Sequence, residues 1–150
     1  MSFKSIVLWI HVAVGVLWII TSAGLVVTAT ALAQEPDELK ALLKRSAAAI
    51  NFLGIGCACV IPITGVLNIA AVARTDPQAL NGEFVAVLSG KIGLYAVMVW
   101  ALWCACGVVE SVCDRQIAGE GGGRLIGFYG IVAGAGAVAI LCGLWLAGIH

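Results

Sequence analysis

The order of hydrophobic and polar positions along the chain predicts four membrane-spanning helices. A spanning helix needs about 20 predominantly apolar residues, and four continuous apolar stretches reach that length. They lie at about Ser5–Leu32, Ala47–Val72, Phe84–Val109 and Leu125–Ile149. The apolar residues run without alternation, which argues against the strands of a transmembrane barrel. We therefore expect a single all-α transmembrane domain over residues 1–150.

The connections between these stretches are short and hold nearly all of the charged residues and turn formers. Four helices joined by such connections pack with antiparallel neighbours, so we expect an up-down-up-down four-helix bundle. The composition agrees, because the chain is 62% hydrophobic and 11% charged, whereas soluble domains are roughly half apolar and a quarter charged. Its net charge of zero and its lack of a basic tract argue against nucleic acid as a partner. The lipid bilayer is the expected surrounding.

The distribution of lysine and arginine predicts the orientation. The first and third connections hold five of these residues: Lys40, Lys44, Arg45, Arg115 and Arg124. The N-terminus and the second connection hold two, Lys4 and Arg74. Because basic residues near span ends favour the cytoplasmic side, we expect both termini on the outer, periplasmic side of a bacterial inner membrane.

Two ionisable side chains, those of His11 and Lys91, interrupt these apolar stretches. Such groups cost a few kcal/mol in hydrocarbon, usually face the bundle interior and mark a site. A structural alternative is that His11 hydrogen-bonds a neighbouring helix while Lys91 extends its amine to the interface. We favour a ligand role for His11 because neutral imidazole is the commonest metal ligand. For Lys91 both interpretations stay open.

Other polar or small residues share these helix faces. Gly15 follows His11 by one turn and removes bulk where a planar ligand would lie, and Tyr95 and Met98 share the face of Lys91. Asn68 lies near the outer end of the second span. Under the predicted topology, His11, Asn68 and Lys91 lie about 10 Å inside the outer ends. Three helices are thus expected to bring polar groups to one depth.

The segment LWIHVAVGVLW, residues 8–18, resembles the first helix of the copper-resistance D (CopD) superfamily and its HemJ-type protoporphyrinogen oxidase relatives. Those proteins open with a helical histidine followed a turn or two later by tryptophan. Lys44-Arg45, Thr64-Gly65 and Lys91 follow in the same order. The resemblance covers most of the chain through short apolar motifs. It implies a four-helix membrane protein that binds haem b, with His11 as axial ligand and Lys91 as a second site residue.

One departure from that pattern matters for the chemistry. HemJ-type proteins carry a further histidine about one helix length after the lysine, and residues 100–106 here read WALWCAC. This puts protoporphyrinogen oxidation in doubt, and the sequence leaves open whether the chain is an enzyme. A haem would be five-coordinate or would take Met98, His150 or a partner's residue as sixth ligand.

The cysteines suggest copper as an alternative metal. Cys57-Ala58-Cys59 and Cys104-Ala105-Cys106 repeat one tripeptide in the second and third spans, and soft sulfur ligands select Cu(I). Residues two apart point in nearly opposite directions on a helix, so neither tripeptide chelates with both sulfurs. We favour a structural role because free cysteine behaves as a small hydrophobe.

Glycines indicate close helix packing, within the chain or between chains. Gly127, Gly130 and Gly134 lie at small-residue spacing in the fourth span, which lets helix backbones approach in lipid. We favour packing within the chain and hold a homodimer seam as the alternative.

Together these features lead to three hypotheses. The first is a membrane haem-b-type protein acting in electron transfer or oxidation. The second is a non-catalytic accessory subunit that docks against partner membrane subunits, and the third is a copper-handling membrane protein.

Overall fold

A computed structural model of the chain describes residues 3–31, 36–114 and 118–148. Four long helices make up nearly all of these residues: α1 Phe3–Ala31, α2 Pro36–Thr75, α3 Gly82–Asp114 and α4 Ala118–Gly148. The predicted fold class, an all-α four-helix bundle, is confirmed. One difference concerns α2, which begins at Pro36, so that the charged residues of the first connection extend the same helix as the second span.

All four helices are long and apolar enough to cross a membrane, over Ser5–Ala31, Phe52–Thr75, Gly82–Ser111 and Gly123–Gly143. Helices satisfy their backbone hydrogen bonds internally, which hydrocarbon requires. Large apolar side chains face outward; Phe52 is 82% exposed and Trp103 is 81% exposed. An apolar surface of this extent suits lipid rather than water. The chain is an integral membrane protein.

The helices pack around a core formed mainly by α1, α3 and α4, to which α2 contributes Cys57. The core includes Trp18, Met98, Val109, Leu125 and Val132. Helix α4 packs closely against both α1 and α3, whereas α2 packs mainly against α1 and makes fewer contacts with α3. Small residues permit the closest approaches. At Gly136 a Cβ would lie 2.6 Å from Ile19 Cγ1, and at Gly54 a Cβ would lie 2.9 Å from Leu102 Cδ1.

The connection between α2 and α3 is a tight turn with its own cap. A short 3₁₀ turn spans Pro77–Ala79. Asn81 then caps α3, because its Oδ1 atom accepts a hydrogen bond from the Phe84 N–H at 2.9 Å. We call this end of the molecule, where α1 also begins, the α2–α3 end.

Candidate functional site

His11 joins α1 to α2 toward the α2–α3 end. The ring Nδ1 lies 2.8 Å from the Thr64 hydroxyl oxygen. The ring Cε1 packs 3.6 Å from the position that a Cβ would take on Gly65. The imidazole is half-buried, and its Nδ1–Cε1 edge faces α2. The ring thus lies in van der Waals range of α2 at Gly65.

The Thr64 hydroxyl has hydrogen-bond partners on its own helix as well as on α1. Its hydroxyl donates to the Val60 carbonyl at 2.8 Å and lies 3.1 Å from the Ile61 carbonyl. Thr64 is also buried, with 7% of its surface exposed. Threonine hydroxyls elsewhere in the bundle, such as those of Thr21 and Thr30, donate in the same way to the carbonyl four residues earlier. Thr64 differs because its oxygen is also bonded to another helix.

Lys91 reaches from α3 to α4. Its Nζ atom lies 2.8 Å from the position that a Cβ would occupy on Gly143, so the amine takes the space of the missing side chain. Lys91 is half-buried and lies within electrostatic range of His11 and Cys142. His11 and Lys91 thus each reach a neighbouring helix: His11 meets Thr64 and Gly65 on α2, and Lys91 meets Gly143 on α4.

The charge of Lys91 has no described counter-ion. The acidic residues of the four described spans are Glu83 and Glu110, which lie near the two ends of α3. In the described part of the chain, no carboxylate lies within ion-pair distance of the Lys91 amine. A cation held in hydrocarbon is costly without a partner. An anionic ligand at this position would offset that cost.

Tyr95 connects three helices one turn beyond Lys91. Its hydroxyl donates to the Ala58 carbonyl on α2, and its ring packs edge-to-face against Trp18 on α1, with centroids 6.4 Å apart. Its contact with a cofactor stays a prediction, and the hydroxyl hydrogen is already used by Ala58.

The remaining predicted site residues fall into different surroundings. Asn68 lies one turn beyond Thr64 and is half-buried. Gly15 has open space where a Cβ would lie. Met98 is 5% exposed and packs in the core, where its Cε approaches Gly136, two turns along α3 from Lys91. His150 lies outside the described residues.

The paired cysteines are spread over different surroundings. Cys57 is buried and Cys59 is exposed, while Cys104 and Cys106 are intermediate. Among the described residues, no group of three or more His, Cys, Asp or Glu side chains could hold a metal ion. Copper handling through His11, Met98 and these sulfurs stays a prediction.

Gly143 is the part of the site that the sequence analysis missed. Thr64 and Gly65 entered it as a motif, but Gly143 did not enter it at all. A signal existed, since antiparallel packing of α3 on α4 places the last turns of α4 beside the first turns of α3.

A second feature without a sequence prediction lies at the opposite end of the bundle. A cavity of about 20 Å³ lies between α1, α2 and α4, and Tyr129 is among its lining residues. Tyr129 is 3% exposed, and its hydroxyl has no hydrogen-bond partner in the described part of the chain.

Comparison with known proteins does not assign a function to this site. The chain matches no family model, no curated protein and no solved structure. Its function is therefore inferred from the side chains of the four helices.

Proposed function

We propose that the chain is a small membrane haem-b-type protein that acts in electron transfer or oxidation. The observation that carries this proposal is the pairing of His11 with Lys91. A half-buried imidazole bonded to Thr64 lies within electrostatic range of an ammonium group that lacks a described counter-ion. A haem presents a metal that binds imidazole and carboxylates that bind a cation.

The proposed haem would have one histidine ligand and one lysine partner for a carboxylate. His11 would ligate the iron, and Lys91 would pair with a propionate. The planar ring would lie over Gly15, where a Cβ would meet no atom within 4 Å, and the amide of Asn68 would add a hydrogen bond. Bound haem would supply one-electron chemistry. The chain itself would position the ring, exclude water and neutralise the carboxylate.

The sixth coordination position has no assigned residue within the described site. Met98 packs in the core, and His150 lies outside the described residues. The iron would be five-coordinate, or it would take His150 or a partner's residue as a further ligand. The identity of the sixth ligand would set the reduction potential and the reactivity.

We further propose that the site lies in the outer half of a bacterial inner membrane, with both termini periplasmic. This orientation rests on the excess of basic residues in the first and third connections. It would place the haem within reach of periplasmic redox partners. Cysteine accessibility measured from each side of intact cells tests the orientation.

The optical spectrum of the protein purified from haem-sufficient cells tests the proposed cofactor. We expect a Soret band that is lost in His11→Ala. His150→Ala is the informative comparison, because it should keep the band if His150 is not a ligand. Wild-type protein without any chromophore, after haem supplementation during expression, would contradict the proposal.

The second candidate function is that of an accessory subunit or homodimer, and the exposed face of α4 favours it. Gly127, Gly130 and Gly134 are exposed, and a Cβ at any of them would meet no atom within 4 Å. These glycines do not create the close contacts of the described bundle. A helix of a second copy or of a partner subunit would pack there. Cross-linking between cysteines introduced on this face would distinguish a homodimer from an accessory subunit. A homodimer would give a product of twice the mass of one chain, whereas an accessory subunit would be linked to a different protein.

A further inference from the structure

We infer that Thr64 is a positioning residue that fixes the tautomer of His11, so that Nδ1 carries the hydrogen and Nε2 presents the lone pair. The role of this tautomer in haem binding rests on the proposed function. The tautomer itself belongs to the protein without haem and can be measured there. It specifies which ring nitrogen serves as the ligand atom.

The first step is the hydrogen count at the Thr64 hydroxyl. A threonine hydroxyl has one hydrogen to donate and two lone pairs with which to accept. The Val60 carbonyl takes the hydrogen at 2.8 Å, along the helix that carries both groups. The hydroxyl oxygen can therefore only accept at its 2.8 Å contact with His11. A neutral imidazole donates from the nitrogen that carries the hydrogen, so Nδ1 is that nitrogen.

The second step concerns the groups around the same ring edge. The Ile61 carbonyl lies 3.1 Å from the Thr64 hydroxyl oxygen, close to the Val60 carbonyl that accepts the hydroxyl hydrogen. A carbonyl accepts hydrogens and never donates them. Both carbonyls are therefore acceptors for the Thr64 hydroxyl hydrogen, which leaves a lone pair of the hydroxyl oxygen for an N–H at Nδ1.

The third step is the consequence for a ligand. With Nδ1 bonded to α2, Nε2 is the nitrogen left with a lone pair. Metal-ligating histidines almost always donate from the other ring nitrogen to an oxygen, which fixes the ring and raises ligand basicity, and losing that partner typically costs 10- to 100-fold in metal affinity or activity. Thr64 occupies that partner's position here.

Nitrogen-15 NMR of histidine-labelled protein without haem tests the tautomer directly. We expect the His11 signals, identified by their absence in His11→Gln, to show the Nδ1–H form in wild type. Thr64→Ser keeps the hydroxyl and should keep this form. Thr64→Val removes the acceptor and should shift the tautomer ratio by at least about 10-fold toward Nε2–H, which corresponds to about 1.4 kcal/mol.

Thr30→Val is the matched control, because the Thr30 hydroxyl bonds to its own helix at Val26 and is exposed. It should leave the His11 signals unchanged. A wild-type ring in the Nε2–H form would overturn the inference, as would a Thr64→Val spectrum equal to that of wild type.

Haem titration of the same variants separates this inference from the proposed function. We expect Thr64→Val to weaken haem binding by about 10- to 100-fold, while Thr64→Ser stays within about 3-fold of wild type. If wild type binds no haem and the NMR result holds, the proposed function fails and the tautomer assignment stands. If wild type binds haem and Thr64→Val binds it equally well with an unchanged reduction potential, the positioning role of Thr64 is overturned.

Discussion

The Tyr95 hydroxyl donates a hydrogen bond to the Ala58 carbonyl. This carbonyl is the acceptor that Pro62, inside α2, leaves without an intrahelical N–H, because proline has none to offer the residue four positions earlier. In hydrocarbon no water can take that place. A side chain from α3 therefore completes the backbone of α2, one turn from the Lys91 site.

Replacement of Tyr95 tests whether the stability of the protein depends on its hydrogen bond to the Ala58 carbonyl. We expect Tyr95→Phe to lower the free energy of unfolding by about 0.5–2 kcal/mol, because it leaves the Ala58 carbonyl unpaired. Reversible denaturation in mixed detergent micelles measures the effect. Pro62→Ala restores an N–H at position 62, so Tyr95→Phe should cost less in that background. Equal costs in the two backgrounds would contradict the assigned role of the hydroxyl.

The same substitution at the other tyrosine should have the opposite sign. The Tyr129 hydroxyl is buried without a partner in the described part of the chain, and an unpaired buried hydroxyl costs about 1–3 kcal/mol. We therefore expect Tyr129→Phe to raise the free energy of unfolding, measured beside Tyr95→Phe under identical conditions. A loss of stability in Tyr129→Phe would show that the hydroxyl has a partner, such as water in the adjacent cavity.

Two glycines two residues apart on α4 should respond differently to alanine. A Cβ at Gly136 would lie 2.6 Å from Ile19 Cγ1 and 3.2 Å from Met98 Cε, whereas a Cβ at Gly134 would meet no atom within 4 Å. We expect Gly136→Ala to destabilise the bundle by about 1–3 kcal/mol and Gly134→Ala to change its stability by less than about 0.5 kcal/mol.

Thermal unfolding in detergent compares these two glycine variants. If Gly134→Ala instead weakens self-association without altering the monomer, the exposed face of α4 is the homodimer seam. Similar destabilisation by both variants would argue against the described packing of α4.

Lys91 should affect ligand binding and protein stability in opposite directions. Lys91→Met removes a cation from hydrocarbon, which favours the folded protein, but it also removes the proposed partner of a haem carboxylate. We expect haem affinity to fall by about 10-fold or more, while the unfolding temperature stays equal or rises. Lys91→Arg keeps the charge and should lose less affinity.

Gly143→Ala gives a second, independent test of the Lys91 site. A Cβ there would occupy space 2.8 Å from Lys91 Nζ, so it should displace the amine and weaken haem binding with Lys91 unchanged. Haem titration with parallel thermal unfolding measures both effects. Unchanged affinity in Lys91→Met would exclude the proposed carboxylate contact.

The sequence predicted the helical fold well because the membrane imposes a strong and simple constraint. Continuous apolar stretches of spanning length must be helical in hydrocarbon, since each backbone group needs an internal partner. The short connections then favour antiparallel neighbours. The same constraint made His11 and Lys91 conspicuous, because ionisable residues are rare in such stretches.

Which face of each helix packs against its neighbours and which faces lipid could not be predicted in the same way. Lipid-facing and packed surfaces are both apolar in a membrane protein, so hydrophobic periodicity does not separate them. The glycines illustrate this. Gly127, Gly130 and Gly134 have the spacing of a packing motif yet are exposed, whereas Gly54 and Gly136 make the close contacts.

The sequence by itself thus determined four spanning helices and two ionisable residues within them. The tertiary structure decided which groups those two residues meet: Thr64 and Gly65 for His11, and Gly143 for Lys91. The physical reason is that hydrocarbon selects helices through their backbone and average polarity, both of which are local. The partners of a polar side chain depend on how far each helix is rotated, and shape complementarity between all four helices sets that rotation.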